Sequence, residues 1–132
     1  MTQSNLRIRY SGESSEVEIS GSVNDLEELA NVFTRGGILI LPPHGDDPFP
    51  YSDYLSGLRV QQVQRDRVTI SVDEQQRLLD FTGSRESVAV LAGNLRDLCR
   101  EGGPGEHLHV EYFPDHFYLA ESPVSLVFSR TG

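Results

Sequence analysis

The chain has 132 residues, 37% of them hydrophobic, enough to bury one core without disulfides or metal, so residues 1–132 read as a single domain. Twenty acidic residues against eleven basic ones leave a net charge of -9, a field that repels nucleic-acid phosphates and anionic lipid and attracts basic partners. No run reaches the length of a membrane span, MTQSNLRIRY lacks a signal-peptide layout, and the single Cys99 cannot form an internal disulfide. The expectation is a cytoplasmic protein with neither a nucleic-acid nor a membrane partner. All eleven basic residues are arginine, which reads as the coding bias of a GC-rich genome rather than as chemistry.

Two short alternating runs come first, Leu6-Ile8-Tyr10 and Val17-Ile19, separated by the polar Ser11 to Ser15. They read as a β-hairpin. Ser22 then stands where an N-cap hydroxyl accepts from a first-turn amide, and Leu26, Leu29, Ala30 and Phe33 give the following helix one apolar face before Gly36-Gly37 end it. ILIL (Ile38 to Leu41) is a strand apolar on both faces. One face therefore needs a cover, either the next loop or a second chain, and a homodimer is one expectation. That loop, LPPHGDDPFPYSDYLSG, is longer than usual connections. Its prolines shape turns; it also presents Asp46, Asp47, Tyr51, Asp53 and Tyr54 as an acidic and aromatic surface. LRVQQV is the closing strand of the half.

The pattern then recurs. With Leu6 laid on Val68, an offset of 62 residues, Ile8 falls on Ile70, Val17 on Leu79, Ile19 on Phe81 and Gly21-Ser22 on Gly83-Ser84. The helical stripe falls on Val88, Leu91, Ala92 and Leu95, so the agreement spans a period of two and then one of 3.6. Cys99 extends this stripe and belongs to the core. FPYSDYL and FPDHFYL share Phe, Pro, Tyr and Leu at one spacing, and VSLVF supplies a last strand. The expected fold is α+β: a tandem β-β-α-β-β repeat, approximately 6–64 and 67–128, forming one mostly antiparallel sheet with two helices packed on one face.

Side chains alternate across the strand HLHVEY, so His107, His109 and Glu111 point away from Leu108, Val110 and Tyr112. They are expected on an open polar face with Arg7, Arg9, Glu16, Glu18, Thr69, Ser71 and Asp80. Several readings compete there. Two imidazoles two residues apart can ligate a metal, with Glu111, Asp115 or His116 completing the set. A histidine beside a carboxylate can act as a general base, but no nucleophile accompanies it. His107, His109, Glu111, Asp115 and His116 can also bind a protein through charge-assisted hydrogen bonds beside aromatic area, or the strand can simply be wet. No cofactor is expected: GGPG at Gly102 to Gly105 lacks the lysine of a phosphate loop.

The ending HLHVEYFPDHFYLAESPVSLVF, with FTGS and a VAVLAGNLRDL helix upstream, resembles the immunity protein 32 family of bacterial polymorphic toxin systems. The resemblance covers roughly the last fifty residues, and the first half only in layout. It implies a small cytoplasmic protein that binds and neutralises a toxin in the producing cell, with His107, His109, Glu111 and the Tyr112-Phe113-Pro114 turn matching the family motif. An acidic chain suits a toxin with a basic cleft. The missing nucleophile suits a protein that is no enzyme and works by occupying space.

Overall fold

The computed structural model describes residues 5–64 and 66–131. Met1 to Ser4 of the MTQSNLRIRY stretch, and Gly132 of the single-domain span, lie outside the described residues. Strands β1 (Arg7–Ser11) and β2 (Glu16–Gly21) form the first hairpin, burying Ile8, Val17 and Ile19 on one face. Helix α1 (Val23–Arg35) starts in a capping box: Ser22 Oγ accepts from the Asp25 amide at 3.3 Å, and the Asp25 carboxylate accepts from the Ser22 amide at 3.2 Å. Gly36, at φ 78, ends the helix in a conformation that favours glycine. Strands β3 (Gly37–Ile40), β4 (Asp53–Tyr54) and β5 (Gly57–Gln62) follow. The order then runs β6 (Thr69–Asp73), β7 (Leu78–Gly83), α2 (Arg85–Glu101), β8 (His107–Val110) and β9 (Ser125–Arg130), with no counterpart of β4 among the described residues and with Ser84 capping α2. Among the described residues, no helix is long and apolar enough to cross a membrane.

The class is α+β, as expected, but the expected single sheet is two. One has the order β4-β1-β2-β9-β8, the other β3-β5-β7-β6. Each takes the opening hairpin of one half and the closing strands of the other, joined by a central parallel pair. In the first join Glu16 opposes Ser125; in the second Leu78, which lies 62 residues beyond Glu16, opposes Gly57. Thr69, Ser71 and Asp80, expected beside the histidines, therefore lie on the four-stranded sheet instead. Alternation tells which face of a strand is buried; it does not tell which strand lies alongside.

Exchange across the halves lets one helix reach both sheets. Phe33 of α1 meets Phe81 of β7 edge-on at 4.8 Å and Phe128 of β9 at 6.3 Å, and all three rings are fully buried. The helices also pack on each other, α1 resting on β2 and β3 and α2 on β8 and β9. One contiguous cluster of buried side chains joins both helices and both sheets. The two crossovers clip the opposite sheet: FPYSDYL pairs with β1 at Tyr10 and Arg9, and FPDHFYL meets Val68, whose amide donates to the Tyr118 carbonyl at 2.8 Å.

The glycines that end β2 and β7 sit where the residue leading into the paired hairpin strand comes close. A Cβ at Gly83 would stand 2.8 Å from Val68 Cα, whereas one at Gly21 would stand 2.7 Å from the Leu6 side-chain tip. Backbone yields less than a side chain. Gly83→Ala is therefore expected to cost about 1–3 kcal/mol in urea unfolding and Gly21→Ala less; equal losses would contradict this account of the close approach.

Candidate functional site

On the open face of the five-stranded sheet, strand register sets side chains in rows. Arg9, Glu18, Val127 and His109 form one row, and Arg7, Ser20, Ser129 and His107 the next. Glu16 opposes Ser125 at the other end; β8 stops at Val110, short of the expected Tyr112, and Glu111 follows it directly.

Arg9 is the hub of this face. Its Nε donates to Glu18 Oε1 at 3.0 Å, its Nη2 donates to the same oxygen, and its Nη1 donates to the Phe49 carbonyl at 3.1 Å. The guanidinium also lies 4.8 Å from the centroid of the Tyr51 ring. Arg9 thus adds a side-chain tie between the long loop and the sheet to the backbone pairing of β4 with β1, and lies beside the Tyr51 ring. Burial, together with the Glu18 carboxylate, pushes the Tyr51 phenol above its ordinary range, against the opposing pull of Arg9. The network continues past Glu18. Ser129 Oγ donates to Glu18 Oε2 at 3.1 Å, so the hydroxyl oxygen is left to accept from His107 Nδ1 at 2.8 Å.

Beside this chain of contacts, Tyr51, His109, Glu111, Glu16, Ser125 and Val127 line a cleft of about 230 Å³. Neither Glu16 nor Glu111 has an ion-pair partner among the described residues. A wider depression of about 440 Å³ on α1, lined by Asn5, Asp25, Glu27 and Glu28 among others, has no aromatic wall, and its Asp25 is committed to the helix cap. The cleft is the more structured of the two.

Of the candidate residues, the fold gathers Tyr51, His109 and Glu111 in the cleft and adds Glu16. The others are placed elsewhere. Asp46 pairs with Arg7 at 2.9 Å and Asp53 with Arg77 at 3.0 Å, both well exposed. The Asp47 carboxylate accepts from the Phe49 amide at 3.0 Å and shapes the loop, while Tyr54 tilts against His44 at 5.2 Å. Asp115, at φ 70, sits in the turn of FPDHFYL. His116 is only 8% exposed; its Nδ1 accepts from the amides of Leu119 at 3.1 Å and Tyr118 at 3.3 Å. This histidine holds the turn together and does not present itself on the open face. His107 and His109 have ring centroids 6.4 Å apart, and among the described residues no three His, Cys, Asp or Glu side chains are placed to hold a metal ion. Cys99 is buried, and burial pushes its thiol up.

Ser129 escaped sequence reasoning because it lies just beyond VSLVF, the stretch read as an apolar last strand. The signal was there: Ser125, Val127 and Ser129 alternate with the buried Leu126 and Phe128.

Residues 79–131, from β7 to the end of β9, match the model of the family Immunity protein 32. No curated protein and no solved structure matches the chain. The resemblance carried by the ending thus extends over β7, α2, β8 and β9, and it gives the chain the likeness of an immunity protein.

Removing the hub should loosen the loop it holds. Arg9→Met is expected to lower stability by about 1–3 kcal/mol, since it strips Glu18 of a charged partner, and to speed amide exchange at Tyr51 and Ser52; unchanged exchange there would show that the loop is held by other contacts. Burial, with a smaller contribution from Arg67, lowers the His116 pKa from 6.5. The neutral ring is the form that accepts two amides, so its contribution is present above the unfolded value and lost as pH falls through the lowered folded value. Melting temperature should decline from about pH 7 to pH 5, and His116→Asn should remove that part of the decline; an unaltered pH profile in the variant would refute it.

Proposed function

We propose that this chain is an immunity protein that neutralises a cognate bacterial toxin by direct contact, using the open face of the five-stranded sheet. The observation that carries this reading is the cleft that Glu16 and Glu111, both without ion-pair partners among the described residues, line together with Tyr51 and His109. Five of its lining residues, His109, Glu111, Ser125, Leu126 and Val127, lie inside the stretch that matches the immunity family. An arginine or lysine of a toxin entering here would gain charge-assisted hydrogen bonds from two carboxylates and lie beside an aromatic ring.

The net charge of -9 supports the same partner at longer range. A negative field speeds encounter with a basic surface, and an inhibitor that must act before damage accumulates benefits from speed. Asp46, Asp47 and Asp53 extend the negative rim on the loop. Because Asp46 and Asp53 already pair with arginines, their part is in steering rather than in tight contact. The neutralisation is proposed to take place in the cytoplasm of the producing cell, against a toxin whose own cleft is basic.

The test is co-expression with the toxic domain encoded beside this gene, followed by binding measurements. Cells should survive only with the protein present. Glu16→Gln combined with Glu111→Gln should raise Kd about 10–100-fold, whereas neutralising Asp46, Asp47 and Asp53 should mainly slow association and weaken its salt dependence. Full affinity in the double variant would remove the cleft from the interface, and failure of rescue by soluble protein against an active toxin would remove the function.

A further inference from the structure

The four-stranded sheet ends in an edge unlike the others. β3 carries Ile38 and Ile40 on its outward face, 58% and 63% exposed. The Leu41 amide donates to the Ser56 carbonyl at 2.8 Å, directly across from it in the register of β3 and β5. Antiparallel pairing alternates, so Gly37 and Leu39 also turn their backbone groups toward β5. Ile38 and Ile40 then turn theirs away from the sheet, and no described residue bonds to them there.

Charge separates this edge from the rest. β4 contains Asp53, β6 contains Asp73, and β8 contains His107 and His109, but β3 has no ionisable residue. Polar and charged side chains are the usual protection of a free edge. The difference is sharpest against β8, which holds the corresponding place in the other sheet. Ile38 opposes Arg59, the third residue of β5, as His109 opposes Val127, the third residue of β9. Where one sheet edge carries histidine, the other carries isoleucine. Even the neighbouring Arg59 is neutralised, by Asp80 at 2.6 Å and Asp73 at 3.4 Å.

We infer that β3 is a homodimerisation edge, on which a second copy of this chain adds its own β3 in antiparallel register. A twofold axis beside Leu39 places Ile38 opposite Ile40 of the second copy, and the outward N–H and C=O groups of both residues find partners in both directions. Four isoleucines then share one face, and two four-stranded sheets become a continuous sheet of eight strands. The edge is self-complementary, and it offers no carboxylate to a basic partner. For a chain of net charge -9, an uncharged edge is also where two copies meet with least repulsion. The carboxylate cleft lies on the other sheet, so the dimer leaves it open and presents it twice.

Sedimentation of the full chain over its soluble concentration range tests this. A concentration-dependent dimer is expected, with slowed amide exchange at Ile38 and Ile40 as it forms. Ile38→Lys should raise the dimer dissociation constant about tenfold or more with the circular dichroism spectrum and melting temperature kept; Ile40→Lys serves in its place if the first variant does not fold. A monomer throughout the range, or a dimer unaffected by the folded variant, would overturn the inference. Protection of the two amides only when a toxin is bound would assign the edge to the toxin and overturn it equally.

Discussion

The two parallel joins, β2 with β9 and β5 with β7, are the constraint on which everything else rests. β9 brings Ser125, Val127 and Ser129 alongside Glu16, Glu18 and Ser20. It also holds β8 at one further remove, so the histidine strand reaches the same face as the opening hairpin. Without that join the cleft would lack one wall. The matching join on the other side gives Phe33 its second aromatic neighbour and ties the helical layer to both sheets. Apolar burial supplies the driving force, and the joins decide which surfaces it brings together.

On that frame the face is organised by one arginine. A half-buried guanidinium is tolerated because its donors are used: a carboxylate on one side, a loop carbonyl on the other, an aromatic ring alongside. Lysine could not reproduce this, since a compact ammonium lacks the planar fork. The Tyr51 ring lies against a residue forty-two places earlier in the chain, and the cleft it walls is built from both halves.

Much of this was legible in the amino-acid sequence. The helices begin at Ser22 and Ser84 and end at Gly36 and Gly102, because capping hydroxyls and glycines are local signals that need no knowledge of neighbours. The outward set of His107, His109 and Glu111 follows from strand alternation alone. The pairing of strands was not legible. Val17 or Leu126 presents the same apolar side chain to whichever strand adjoins it, so a chain with two similar halves reads as two adjacent units when it is interleaved. His116 was misread for a related reason: its neighbours in FPDHFYL look like surface, and only the turn at Asp115 brings the backbone amides of Tyr118 and Leu119 onto its ring.

The interleaving also sets a timetable for synthesis. Glu16 must wait for Ser125 before the first sheet can close. A ribosome therefore extrudes the opening hairpin, with Val17 and Ile19 facing water, long before the strand that covers its flank exists. Contacts so distant along the chain form late and slowly. Under the proposed immunity function, maturation time becomes a physiological quantity, because the stock of chains finished earlier, rather than those still being made, would meet the partner.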